Sequence, residues 1–215
     1  MPAARSVMRP EPIRTGGLRA AFLDRDGVIN RDHGYVHRRE EFEFLPGAIA
    51  GMRRLVRAGF ALIVVTNQSG IARGYYGAAD FEALTGWMLN ELAQAGAPVL
   101  AVYHCPHHPD GVVPGLAKPC NCRKPAPGML LRARDEHRID MARSILIGDR
   151  ESDMAAARAA GVGRAFLIGE AASEECRVQP PGVARRTTNL ASCAECICGE
   201  MKDKTILRIE QKITP

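Results

Sequence analysis

Residues 20–30, AAFLDRDGVIN, run four apolar residues straight into an aspartate pair, Asp24 and Asp26, and a glycine. An apolar run this short, with no polar alternation, reads as a strand buried on both faces, which is the signature of a parallel sheet covered by helices. Four more runs of the same kind follow: Ala61 to Val65, Val99 to Tyr103, Ser144 to Ile147 and Ala165 to Ile168. Amphipathic segments alternate with them. Ile49, Met52, Leu55 and Val56 mark one helix, opened at Pro46 and closed at Gly59. Phe81, Leu84, Met88 and Leu92 mark a second between about 79 and 95, a third starts near Pro127, and a fourth spans about 152–160. The alternation predicts an α/β fold, a three-layer α/β/α arrangement around a central parallel sheet.

Composition sets wide bounds around that core. The chain has 215 residues, 46% of them hydrophobic and 25% charged, as an ordinary globular domain does. No stretch approaches the roughly 20 apolar residues of a membrane span. Residues 1–18 lack the apolar centre of a secretory signal and are expected to form a flexible leader. The net charge of +5 comes without a basic run interleaved with aromatics, so neither a nucleic-acid nor a membrane partner is expected. Seven cysteines without a secretory signal point to a reducing, cytoplasmic compartment. A monomer is expected.

Ligands in open α/β sheets bind beyond the carboxyl ends of the strands. There the first strand delivers Asp24 and Asp26, the second Thr66-Asn67-Gln68-Ser69, and the fourth Asp149 and Arg150, while Arg123 and Lys124 precede the third helix. Each alone is an ordinary cap or turn residue. Together they suit phosphoryl transfer. Magnesium takes one or two carboxylates plus phosphate and water, and Asp24 and Asp149 can supply them. Lys124 adds a cation, Asp24 a carboxylate nucleophile, and Asp26 a group able to protonate the leaving oxygen.

The strings AAFLDRDGVIN, ALIVVTNQSG (61–70), CRKP (122–125) and ILIGDRESDMAAARAAG (145–161) resemble, in order, the four motifs of the haloacid-dehalogenase phosphatase superfamily. The resemblance covers about residues 19–169. It implies a Rossmann-like sheet of order 5-4-1-2-3, with Asp24 as nucleophile and Asp26 as general acid and base. Thr66 and Lys124 would hold the phosphate, and Asp24, Asp149 and the main-chain carbonyl of Asp26 would hold Mg²⁺. Response-regulator receivers also form an aspartyl-phosphate, on an Asp after the third strand; here that strand ends in His104-Cys105, which makes a phospho-receiver the weaker alternative. A non-catalytic, zinc-stabilised binding module is the alternative from a different class.

Cys105-Pro106-His107-His108 and Cys120-Asn121-Cys122 form two short ligand pairs across a loop at 104–125 that has few apolar residues. Three thiols and one imidazole suit a closed, structural zinc site. His107 and His108 compete for the fourth position, and the resemblance selects Cys105, His107, Cys120 and Cys122. The spans 25–65 and 67–123 leave no room for a large cap domain, so loops must grip the substrate. The candidate is Arg31-Asp32-His33-Gly34-Tyr35-Val36. This loop, TNQSGIARG and the zinc loop are similar to the heptose-bisphosphate and histidinol-phosphate phosphatase branch of the superfamily. That implies a small phosphorylated metabolite as partner, contacted by Asp32, His33, Gly34, Tyr35, Thr66, Asn67, Gln68, Ser69, Arg123, Lys124 and Arg150. Arg123 beside Lys124 offers a cation for a second phosphate, which favours heptose 1,7-bisphosphate, cleaved at the 7-phosphate, over histidinol phosphate. Beyond residue 170 the βα pattern is lost. That tail, with Cys176, Cys193, Cys196 and Cys198, is expected to be a poorly packed extension, a second metal site being the alternative.

Overall fold

The computed structural model describes residues 17–169 and 185–213, the last helix beyond residue 201 by its backbone alone. Most of the leader, and Cys176, lie outside the described residues. In chain order the elements are β1 (Ala20–Leu23), α1 (Ala48–Arg57), β2 (Ala61–Asn67), α2 (Ser69–Ala72), α3 (Ala78–Gln94), β3 (Val99–Cys105), α4 (Gly128–His137), β4 (Ile145–Gly148), α5 (Glu151–Ala159), β5 (Arg164–Ile168), β6 (Arg185–Thr187) and α6 (Leu190–Ile213). All six strands are parallel, in the order β3-β2-β1-β4-β5-β6.

The lack of polar alternation in β1 has its cause in this order. Phe22 pairs with Ile63 of β2 on one side and Leu146 of β4 on the other. All four β1 residues are fully buried. Ala21 and Leu23 face a layer that includes Met52, Leu55, Met88 and Leu92, from α1 and α3. Ala20 and Phe22 face the opposite layer, with Leu130 of α4 and Met154 and Ala157 of α5. Two buried faces make both alternating sets apolar. The strand order reverses at β1, and the crevice at the carboxyl ends of β1, β2 and β4 is where such sheets take ligands.

Two expectations are corrected. Helix α1 begins at Ala48, with Gly47 in the left-handed conformation (φ 81°) as its cap, so Pro46 lies ahead of the helix rather than at its first position. The chain beyond residue 184 is also no loose tail. β6 pairs with β5, Ile168 opposite Thr187, and α6 packs on α1 with Leu190, Cys193, Ala194 and Ile197 buried. Gly51 permits that packing, since a Cβ there would meet the Leu190 carbonyl oxygen at 2.5 Å. Among the described residues no helix is long and apolar enough to cross a membrane.

Gly51→Val is therefore expected to push α6 off α1 and cost about 1–3 kcal/mol, the usual range for overpacking. Thermal denaturation followed by circular dichroism measures this, and an unchanged Tm would contradict the docking of α6.

Candidate active site

Past Leu23 the ladder continues for one bond, Asp24 N donating to Ile147 O at 3.0 Å. The chain then turns back on itself, with Ile29 N and Asn30 N both donating to Arg25 O. The turn places Gly27 at φ 80°, where a Cβ would run into the Asp149 carboxylate. The DxDG glycine is thus required twice, for conformation and for room. Arg25, 1% exposed, donates from Nε and Nη2 to the Asp26 carboxylate and from Nη2 to Val36 O at 2.7 Å. Asn30 Nδ2 (2.9 Å) and Gln68 Nε2 (3.1 Å) also donate to Asp26. Three side chains thus fix its orientation.

Lys124 is buried at the centre. Its Nζ lies 2.8 Å from Asp24 Oδ2 and 2.6 Å from Asp153 Oδ1, and donates to Val65 O at 2.8 Å. Burial alone would lower its pKa, but the Asp24 and Asp153 charges outweigh it and raise it. Asp24 is pushed up chiefly by burial, against the pull of Lys124. Asp149 is pushed up to about 6, by burial and then by the charges of Asp24 and Asp153. Carboxylate oxygens of Asp24, Asp149 and Asp153 lie within 4.8 Å of one another, and Asp149 Oδ1 is buried without a hydrogen-bond partner. Three convergent carboxylates facing one lysine leave an excess of negative charge and an unused oxygen donor, which fits a hard divalent cation. Asp153 went unrecognised in the sequence because Asp in the first turn of a helix reads as a cap. It is one, accepting from Arg150 N at 3.1 Å with its other oxygen.

The β2 end supplies the opposite wall. Asn67 Nδ2 donates to Lys124 O and Lys124 N donates to Asn67 Oδ1, at 3.1 and 3.0 Å, tying the lysine loop to the sheet. Gln68 Nε2 also donates to Thr66 Oγ1 (2.8 Å), and Tyr76 OH donates to Gln68 Oε1 (2.5 Å). Burial raises Tyr76 to about 12, so it remains a donor. The amide atoms of Asn67 and Gln68 are therefore engaged within the protein. A cavity of about 600 Å³ lies over these groups. Of the expected substrate contacts, Asp32, Gly34, Tyr35, Thr66, Asn67, Gln68, Ser69, Arg123, Lys124 and Arg150 line it. His33 does not line it; its ring sits 3.6 Å from the Glu43 carboxylate. Asp32 pairs with Arg150 at 2.8 Å. Arg73, Tyr76 and His108 also line the cavity. Arg73 and Tyr76 lie beyond the Thr66–Ser69 strand end and carry no pattern of their own, and His108 reads by spacing as a metal-ligand candidate.

The four ligand candidates of the 104–125 loop converge. Their Sγ atoms are 3.2–3.5 Å apart, and His107 Nδ1 lies 3.3 Å from Cys122 Sγ and 3.7 Å from Cys105 Sγ. Such separations match the edges of a small tetrahedron. The histidine choice resolves to His107, since the His108 ring lies 3.2 Å from Arg73 Nη2 instead. Burial, followed by hydrogen bonding to Cys122, pushes the Cys105 thiol up. A bound cation would have to displace that proton.

The hydrolase-like family model (HAD-hydrolase-like) matches residues 121–187. The chain is 48% identical over 151 residues to D-glycero-alpha-D-manno-heptose-1,7-bisphosphate 7-phosphatase of Photorhabdus laumondii, covering 70% of this chain and 82% of that one. It is 56% identical over 149 residues to the Escherichia coli K12 beta-anomer 7-phosphatase, covering 69% and 78%. The structure resembles that of D,D-heptose 1,7-bisphosphate phosphatase from B. bronchiseptica in complex with magnesium and phosphate, with TM-score 0.70, 33% identity and coverage of 85% and 99%.

The raised pKa of Asp149 has a consequence for stability. A carboxyl whose folded pKa lies above its unfolded value binds more protons folded than unfolded, so stability falls as pH rises from about 4 through about 6. Without added divalent cations, Asp149→Asn is expected to raise Tm at pH 7.5, with the gain vanishing near pH 4. Thermal scans across that range test the sign; a lower Tm at pH 7.5 would contradict it.

Proposed function

The chain belongs to the family of heptose-1,7-bisphosphate 7-phosphatases within the HAD-like hydrolases, and we propose that it removes the 7-phosphate of D-glycero-D-manno-heptose 1,7-bisphosphate through an aspartyl-phosphate on Asp24. The observation that carries the reading is Lys124 Nζ held between Asp24 and Asp153 with Asp149 alongside. A carboxylate nucleophile next to an ammonium and an acidic cation site is the arrangement a phosphate dianion requires. Asp24 attacks phosphorus, and the bond to the sugar oxygen breaks as Asp26 gives that oxygen a proton. Asp26 then takes a proton from water, whose oxygen attacks the phosphorus of the aspartyl-phosphate and frees Asp24. Thr66 and Lys124 orient the phosphate oxygens. Arg25, Asn30 and Gln68 keep Asp26 aimed for both proton transfers.

Asp24, Asp149 and the main-chain carbonyl of Asp26 would hold Mg²⁺, which supplies charge neutralisation for the phosphate. Asp153 holds Lys124 beside them. Cys105, His107, Cys120 and Cys122 would hold a structural Zn²⁺, with no position left open for substrate. Asp32, His33, Gly34, Tyr35, Asn67, Gln68, Ser69, Arg123 and Arg150 are the proposed substrate-side residues, the amides of Asn67 and Gln68 acting through Lys124, Thr66 and Asp26. The enzyme is proposed to work as a cytoplasmic monomer on a small metabolite, with no nucleic-acid or membrane partner. Arg123 and Arg150 in the cavity favour a bisphosphate over histidinol phosphate.

Phosphate release across sugar phosphates, sugar bisphosphates and histidinol phosphate, with Mg²⁺ present and withheld, tests the assignment. Highest kcat/KM is expected on the heptose bisphosphate and none without Mg²⁺; a preference for histidinol phosphate would overturn the substrate. Asp24→Asn is expected to reduce turnover by about 10³-fold or more. Metal analysis should find one zinc per chain, with Cys120→Ser lowering both zinc content and Tm. Full zinc occupancy in that variant would refute the ligand set.

A further inference from the structure

Four cationic side chains line the active-site cavity: Arg73, Arg123, Lys124 and Arg150. Two are neutralised, Lys124 by Asp24 and Asp153 and Arg150 by Asp32. Among the described residues, Arg73 and Arg123 pair with no carboxylate. Both also keep a buried guanidinium nitrogen without a hydrogen-bond partner, Nε of Arg73 and Nη1 of Arg123. Buried donors left unmatched are destabilising, and two like charges lining one cavity repel. An anion accepting from both would remove both penalties.

Arg73 is fixed in place. It follows α2, its backbone N donating to Ser69 O at 3.0 Å, and the loop carrying His108 is stitched to the residue before it. Val112 N and Val113 N both donate to Ala72 O, at 2.7 and 2.9 Å. Arg73 Nη2 lies 3.3 and 3.2 Å from the two ring nitrogens of His108. His108 Nδ1 accepts from Asp110 N at 3.1 Å, and the Asp110 carboxylate, 3.8 Å from the ring, has a side chain 80% exposed. The ring therefore orients the guanidinium without cancelling its charge, and Nε and Nη1 keep N–H donors that no protein group takes up, on a cation suited to phosphate oxygens.

We propose that Arg73, oriented by His108, joins Arg123 in binding the substrate phosphate that is not cleaved. The inference rests on the bisphosphate reading above and extends it. Lys124 and Thr66, with the cation that the acidic cluster would hold, take the reacting phosphate. Arg73 and Arg123 take the other, which makes the cavity selective for doubly phosphorylated sugars.

The test is kcat/KM for wild type and Arg73→Met on the heptose 1,7-bisphosphate and on the 7-monophosphate, which has the same reacting end. The variant is expected to lose about 10- to 100-fold on the bisphosphate, the range for a charge-assisted contact, mainly through KM, and less than about 3-fold on the monophosphate. Arg73→Lys, which keeps the charge but not the planar set of N–H donors, is expected to fall between them and covers the case in which the methionine variant folds poorly. Equal losses on both substrates, or none on either, would overturn the role of Arg73. If wild type itself does not prefer the bisphosphate, the substrate reading falls and the inference with it. If wild type prefers it and both variants retain that preference, the inference alone falls.

Discussion

Lys124 is an ammonium group with almost no access to water, held by two carboxylates and the Val65 carbonyl. A buried charge of this kind is tolerable only when its partners are fixed, and each partner here comes from a different part of the sheet. Asp24 directly follows β1, Val65 lies near the end of β2, and Asp153 sits in the first turn of the helix after β4. The lysine therefore ties together the three strands whose ends form the crevice. The same ion pairs that make its burial possible hold the nucleophile in line with the cation it needs.

The cysteine-histidine cluster acts on this lysine through the backbone. Cys122 precedes Arg123 and Lys124 directly, and Cys105 ends β3, where its carbonyl accepts from Gln68 N at 2.8 Å. One end of the cluster thus fixes the loop bearing Lys124, and the other fixes the residue that donates to Thr66 and Asp26. A metal there need not touch substrate to matter for turnover. It would remove freedom from two loops whose side chains must agree within fractions of an ångström.

The parallel sheet was legible in the sequence because strands buried on both faces have no alternation to hide. The motif aspartates were legible because Asp24, Asp26 and Asp149 each follow such a strand. What escaped was information carried by pairing rather than by pattern. β6 is Arg185-Arg186-Thr187, with no apolar run, and it exists because β5 leaves an edge to be filled. The buried stripe of α6 uses Leu190, Cys193, Ala194 and Ile197 at helical spacing, but with the βα pattern lost beyond residue 170 the segment reads as a poorly packed extension. Asp153 carries two roles on its two oxygens, and only the cap is visible in a sequence. His33 enters the substrate-side set by resemblance, and no pattern in the sequence tells that Glu43, ten residues away, lies beside its ring.

Without a large cap, selectivity must come from loops, and the loops are not independent of the chemistry. Arg25 donates to Asp26 and, through the same Nη2, to the Val36 carbonyl that closes the Asp32–Val36 loop. Gly34 and Tyr35 in that loop both adopt positive φ, at 81° and 58°, a conformation that is uncommon at tyrosine and persists only when its surroundings enforce it. Arg25 is part of that enforcement, and the contact of Tyr35 with the Tyr75 ring is another. The carboxylate proposed to transfer protons and the loop proposed to grip the sugar are thus anchored to one buried guanidinium. A substrate that displaces the loop would also disturb the aim of Asp26, so a poor fit at the sugar lowers the rate at the phosphate rather than binding alone.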